Sequence, residues 1–111
     1  MPLPTFNVES SQIATINGTY QQGHIFNIAQ GTVKTNDKIR LRVSDTNRFD
    51  LGDVEFDDDK ITWAHISSSD DERDPYTDII FDDIPTSFSF SVRVWDSIVN
   101  DYVELFKIVT K

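Results

Sequence analysis

Ser87-Phe88-Ser89-Phe90-Ser91-Val92-Arg93-Val94 decides the fold class. Apolar and polar residues alternate strictly over these eight positions, the period of a β-strand with one face buried and one face wet. Phe88, Phe90, Val92 and Val94 are expected in a core; Ser89, Ser91 and Arg93 are expected in solvent. Lys38 to Ser44 repeats the pattern, with Ile39, Leu41 and Val43 inward and Lys38, Arg40 and Arg42 outward. Ile61 and Trp63 share a face, and Tyr76–Phe81 and Tyr102–Val109 are rich in the β-branched and aromatic residues that strands favour.

The early chain carries the same signal more weakly in TFNVE, QIATI, TYQQ and HIFNI. Asn17-Gly18 reads as a two-residue hairpin turn, which explains Asn17-Gly18-Thr19 better than a glycosylation sequon does. Gln30-Gly31, Thr35-Asn36-Asp37, Leu51-Gly52-Asp53 and the stretch 67–75 carry turn chemistry. No ten-residue segment has an apolar stripe at helical spacing with proper caps. These features predict one all-β domain over residues 1–111, an antiparallel β-sandwich of about eight strands. Phe88, Phe90, Phe106 and Trp95 are assigned to its core.

The chain of 111 residues has 38% hydrophobic and 12% aromatic residues, enough for a core, and no cysteine, which excludes disulfides and thiolate metal sites. Residues 1–40 hold two acids against three bases, and the remainder holds 17 acids against seven bases. Such a surface repels nucleic-acid phosphate and attracts cations or a basic protein. No signal peptide and no apolar run long enough to span a bilayer is visible, so a cytoplasmic location is the default expectation.

Enzyme signatures are missing. The two histidines, His24 and His65, each fall in an expected strand, and there is no nucleophile elbow, phosphate-binding glycine loop or H-E-x-x-H. The acidic loops are the candidates for function. Asp45-Thr46-Asn47-Arg48-Phe49-Asp50 follows the strand ending at Val43, Asp70 to Pro75 forms a second stretch, and Asp96 to Asp101 follows Trp95. Calcium takes six to eight oxygens, which carboxylates on adjacent loops can supply. If the strands before the first and third stretches run the same way, both loops emerge at one end. Phe49 beside Arg48 suits a loop tip that inserts into a membrane or a partner; a phenylalanine folded back to cover the end of the sandwich is the equal alternative.

Val43-Ser44-Asp45-Thr46-Asn47-Arg48-Phe49-Asp50 with Gly52 resembles the third calcium loop of C-two domains, the calcium-dependent phospholipid-binding modules. Val92-Arg93-Val94-Trp95-Asp96 with Asn100-Asp101-Tyr102 resembles the same element, and Asp74-Pro75-Tyr76-Thr77-Asp78 resembles the segment carrying their first calcium loop. The resemblance implies an eight-stranded sandwich that holds calcium through Asp45, Asn47, Asp50, Asp74, Asp96 and Asp101. It also implies contact with phospholipid headgroups or a basic protein surface through Arg48 and Phe49. Asn47 and Ile98 stand where the family has a second aspartate, which implies weak calcium binding. The leading expectation is a non-catalytic module using calcium in this way. The alternatives are a metal-free acidic interaction module of inhibitor or immunity type, and a structural subunit of a viral or secreted assembly.

Overall fold

A computed structural model describes residues 5–9, 16–19, 24–69, 71 and 73–110. Among them nine strands form: β1 (Thr5–Glu9), β2 (Ile16–Thr19), β3 (His24–Ile28), β4 (Lys38–Val43), β5 (Phe49–Phe56), β6 (Ala64–Ser68), β7 (Thr77–Phe81), β8 (Ser89–Asp96) and β9 (Asp101–Thr110). They make two sheets, ordered β2-β1-β4-β7-β6 and β3-β9-β8-β5. Setting β2 and β3 aside, the remaining strands occupy the A-B-E-D and G-F-C places of an immunoglobulin-type sandwich. All pairings are antiparallel except β3 with β9, where residues 24–28 run parallel to residues 106–110. No helix among the described residues is long and apolar enough to cross a membrane.

Both inner faces follow the period-2 pattern. Phe6, Val8, Ile39, Leu41, Ile79 and Phe81 come from the first sheet, and Phe26, Ile28, Phe90, Val92, Val94, Phe106 and Ile108 from the second. The Phe106 ring lies 5.6 Å from that of Phe6, a tilted contact that joins the two sheets, and 5.2 Å from that of Phe26 in its own sheet. Trp63, just before β6, packs on Phe81, Phe88 and Phe90. A register shift opposite Val92/Arg93 leaves Leu105 without a partner across the ladder. This bulge lets Leu105 and Phe106 both face the core, although they are consecutive.

Four expectations need correction. Asn17 and Gly18 are not a hairpin turn. They lie within β2, opposite Asn7 and Phe6, because the ladder with β1 outweighs a local turn preference. Leu51-Gly52-Asp53 is likewise strand: β5 bulges between Asp50 and Val54, and Leu51 turns into the core. Ser91 is buried, at 7% exposure. Its amide donates to Asp57 Oδ1 and its hydroxyl to Glu104 Oε1, so these side chains cover it. Trp95 is only half-buried and stands on the outer face of the second sheet. The candidate turn-flanking strand TYQQ lies outside the described residues beyond Thr19.

Candidate functional site

Topology brings the first and third acidic stretches and the described part of the second, Asp71 and residues 73–75, to one end of the sandwich; Asp70 and Glu72 lie outside the described residues. β4 ends at Val43 and β5 begins at Phe49, so loop 44–48 caps that end. β7 is antiparallel to β4 with Thr77 opposite Leu41, which places the β6–β7 loop beside it. β8 is antiparallel to β5 with Asp96 opposite Phe49, so the β8–β9 turn arrives there too. Asn100 closes that turn at φ 57°, a left-handed conformation asparagine tolerates. Two bonds tie the turn to the first loop, from the Ser97 amide to the Arg48 carbonyl (2.9 Å) and from the Ser97 hydroxyl to the Asn47 carbonyl (3.2 Å).

The expected calcium ligands therefore share an end, but their carboxylates are already engaged. Asp45 Oδ1 accepts from the amides of Asn47 (3.2 Å) and Arg48 (3.1 Å), an Asx-type turn. The Asn47 side chain is exposed. Asp50 is exposed, and its Oδ1 accepts the Gly52 amide at 2.9 Å. Asp101 is exposed and takes the Tyr102 amide at 2.8 Å. Asp74 binds the Arg42 fork, with Nε at 3.1 Å and Nη2 at 3.4 Å. The hydrogen bonds from Arg42 hold the Asp74 carboxyl below the usual carboxylate range. Among the described residues, no three His, Cys, Asp or Glu side chains gather in a group that could hold a metal ion.

Asp96 is the most constrained of the set. Its side chain has 0% exposure, and Arg48 donates Nε to Oδ1 and Nη2 to Oδ2, both at 2.9 Å. The Ile98 amide adds a third bond to Oδ1 at 2.9 Å. Burial pushes the carboxyl up. The Arg48 fork, the Ile98 amide and the Arg48 charge outweigh burial and hold it below its ordinary value.

Of the two readings of Phe49 the structure has the folded-back one, and Arg48 is turned to Asp96 rather than to an exposed loop tip. Phe49 is 2% exposed and opens β5 at an inward position. Arg48 lies with its guanidinium carbon 5.2 Å from the Phe49 ring centre, committed to Asp96. The ladder explains both: Phe49 and Asp96 are direct cross-strand partners on the inner face, and Arg48 is the cation that makes a buried Asp96 tolerable. Of the histidines, His65 pairs with Asp82 at 2.8 Å, and the His24 side chain lies outside the described residues.

The same ladder exposes residues that sequence reasoning did not select. Asp50 stands opposite Trp95, so both side chains leave the outer face side by side. Trp95 meets Tyr102 edge-on, with ring centres 5.3 Å apart. The Tyr102 hydroxyl donates to Asp53, while Arg93 pairs with Glu55 and lies over the Tyr102 ring at 5.6 Å. Beside this row opens a cleft of about 590 Å³, lined by residues 46–52, Ser69, Asp71, Pro75, Trp95 and Ser97. The adjoining β8–β9 turn presents Ile98 at 68% and Val99 at 51% exposure. The signal for Trp95 was present: the count that buries Val94 and Asp96 must turn Trp95 outward.

No family model matches the chain, and neither the curated proteins nor the solved structures contain a match to it. The strand order describes a fold that hosts many functions, so the functional reading rests on the loop end itself.

Proposed function

We propose that this domain is a non-catalytic, metal-free interaction module that meets a basic protein surface with the end formed by loop 44–48, the β6–β7 loop and the β8–β9 turn. The observation that carries the reading is the row Trp95, Tyr102 and Arg93 ending at the exposed Ile98 and Val99, beside a ligand-sized cleft. Tryptophan, tyrosine and arginine are the residues in which interface energy concentrates. The net charge of −9 favours a basic partner and repels nucleic acid. Selection of random displayed peptides on the immobilised chain tests this. Recovered peptides should be basic with apolar neighbours, should bind less tightly as salt rises, and should bind equally in chelator. A selection without basic enrichment, or binding lost in chelator at fixed ionic strength, would overturn the reading.

Calcium-dependent binding of C-two type is the competing reading. What favours it is that Asp45, Asp50, Asp96 and Asp101, in loop 44–48 and at the adjoining strand ends, share one end of the sandwich. It requires Arg48 to leave Asp96, a costly exchange for a buried, doubly bonded carboxylate.

A further inference from the structure

We infer that the cleft beside Trp95 receives one basic side chain of the partner, with arginine preferred to lysine. The inference rests on the interaction reading and gives the cleft its occupant. Asp50 and Trp95 are cross-strand partners on the outer face, so a carboxylate and an indole stand next to each other at one wall. Asp71 and Pro75 supply the facing wall, from the β6–β7 loop. An aromatic ring flanked by carboxylates is the arrangement that recognises a cation with an apolar stem.

Charge decides against the other occupants. Arg48 also lines the cleft, but its charge is balanced by Asp96, which takes both arms of its fork. Asp50 has no lysine, arginine or histidine within ion-pair distance among the described residues, and Asp71 has Arg73 at 3.5 Å. The local field is therefore negative, which rejects an anion. A neutral apolar group would strip water from the carboxylates without replacing it. A bare divalent ion lacks a cluster of ligands here among the described residues. Arginine is preferred because its planar guanidinium stacks on an indole while its N–H groups reach a carboxylate, which an ammonium does less well.

The test is a nuclear magnetic resonance titration of the intact labelled chain with the amides of N-acetyl-arginine, N-acetyl-lysine and N-acetyl-citrulline. Arginine should shift the Asp50, Gly52, Ser69 and Asp71 amides and the Trp95 indole, lysine should shift them less, and uncharged citrulline should leave them in place. Asp50→Asn should weaken arginine binding by about fivefold, the upper end for an exposed ion pair. Trp95→Leu should weaken it by about two- to fivefold, with unchanged dispersion elsewhere showing that both variants fold. Equal shifts with citrulline, or shifts that avoid the cleft, overturn the inference. If displayed peptides bind but arginine leaves the cleft resonances unmoved, the cleft assignment alone fails. If the peptide selection also fails, both readings fall.

Discussion

Arg48 holds Asp96 by two parallel hydrogen bonds of 2.9 Å at a point where the Asp96 carboxyl has no exposure to solvent. The bond joins loop 44–48 to the end of β8, so the pair positions the loop end as well as neutralising a buried charge. Removing one partner leaves the other charge buried and uncompensated. Arg48→Met should therefore destabilise the domain by about 3–5 kcal/mol in urea unfolding. The double substitution Arg48→Met with Asp96→Leu should recover much of that loss. A double variant no more stable than Arg48→Met would show that the pair is not what the loop end depends on.

The same pair sets an acid dependence. The folded Asp96 carboxyl lies below its ordinary value, so the folded state prefers it ionised. Its contribution is complete above the unfolded value of about 3.9 and is lost as pH falls through the lower folded value. Wild type and Asp96→Asn should differ most in stability near neutrality and converge in strong acid. A gap that widens on acidification reverses the sign and contradicts the assignment.

Tyr102 sets an alkaline dependence. The hydrogen bond to Asp53, followed by burial and the Asp53 and Glu55 charges, pushes its phenol up to about 12, against a smaller opposing effect of Arg93. The neutral phenol is the form the fold favours. Its contribution is complete below the unfolded value of about 10 and is lost as pH rises through about 12. Ultraviolet titration should find Tyr102 titrating late, and Asp53→Asn should bring it back toward its ordinary range. A late tyrosine unmoved by Asp53→Asn would place the cause elsewhere.

Core and covered positions on β8 should separate by magnitude. Phe90→Ala, at a fully buried aromatic packed against Trp63, should cost about 3–5 kcal/mol. Ser91→Ala should cost about 0.5–1.5 kcal/mol, the worth of its bond to Glu104. Equal effects in urea unfolding would refute the register of β8.

Calcium should leave the fold unmoved. Thermal melts in millimolar calcium and in sodium chloride of matched ionic strength should coincide, because Asp96 and Asp74 are held by Arg48 and Arg42 and the other aspartates do not gather into a ligand group among the described residues. A calcium-specific rise that Asp45→Asn with Asp96→Asn abolishes would establish the competing reading instead.

Alternation made β4 and β8 legible, because each presents one face to a core and the side-chain period is two. The same alternation brought the first and third acidic stretches to one end once the strand polarities were assumed; the second joined them only through the β4–β7 pairing. What stayed hidden depends on contacts far apart in sequence. Asp96 was expected to hold calcium until Arg48, 48 residues earlier, supplied its partner. Ser91 looked exposed until Asp57 and Glu104 covered it. Trp95 was assigned to the core because its strand alternates, although the same alternation, counted on from Val94, turns it outward. A count of positions was the better guide than hydrophobicity.

The parallel pairing of β3 with β9 has a kinetic meaning as well. The β8–β9 hairpin closes over a four-residue turn, whereas β3 meets β9 only after a loop of about eighty residues has been drawn together. Local pairing is rewarded early, and long-range pairing only after its entropy has been spent. The outer edge of β9 therefore waits the longest for its partner during folding, with backbone groups open to any other strand. The hazard for this chain lies in that interval, before β3 docks, when a second molecule in the same state offers an equivalent strand.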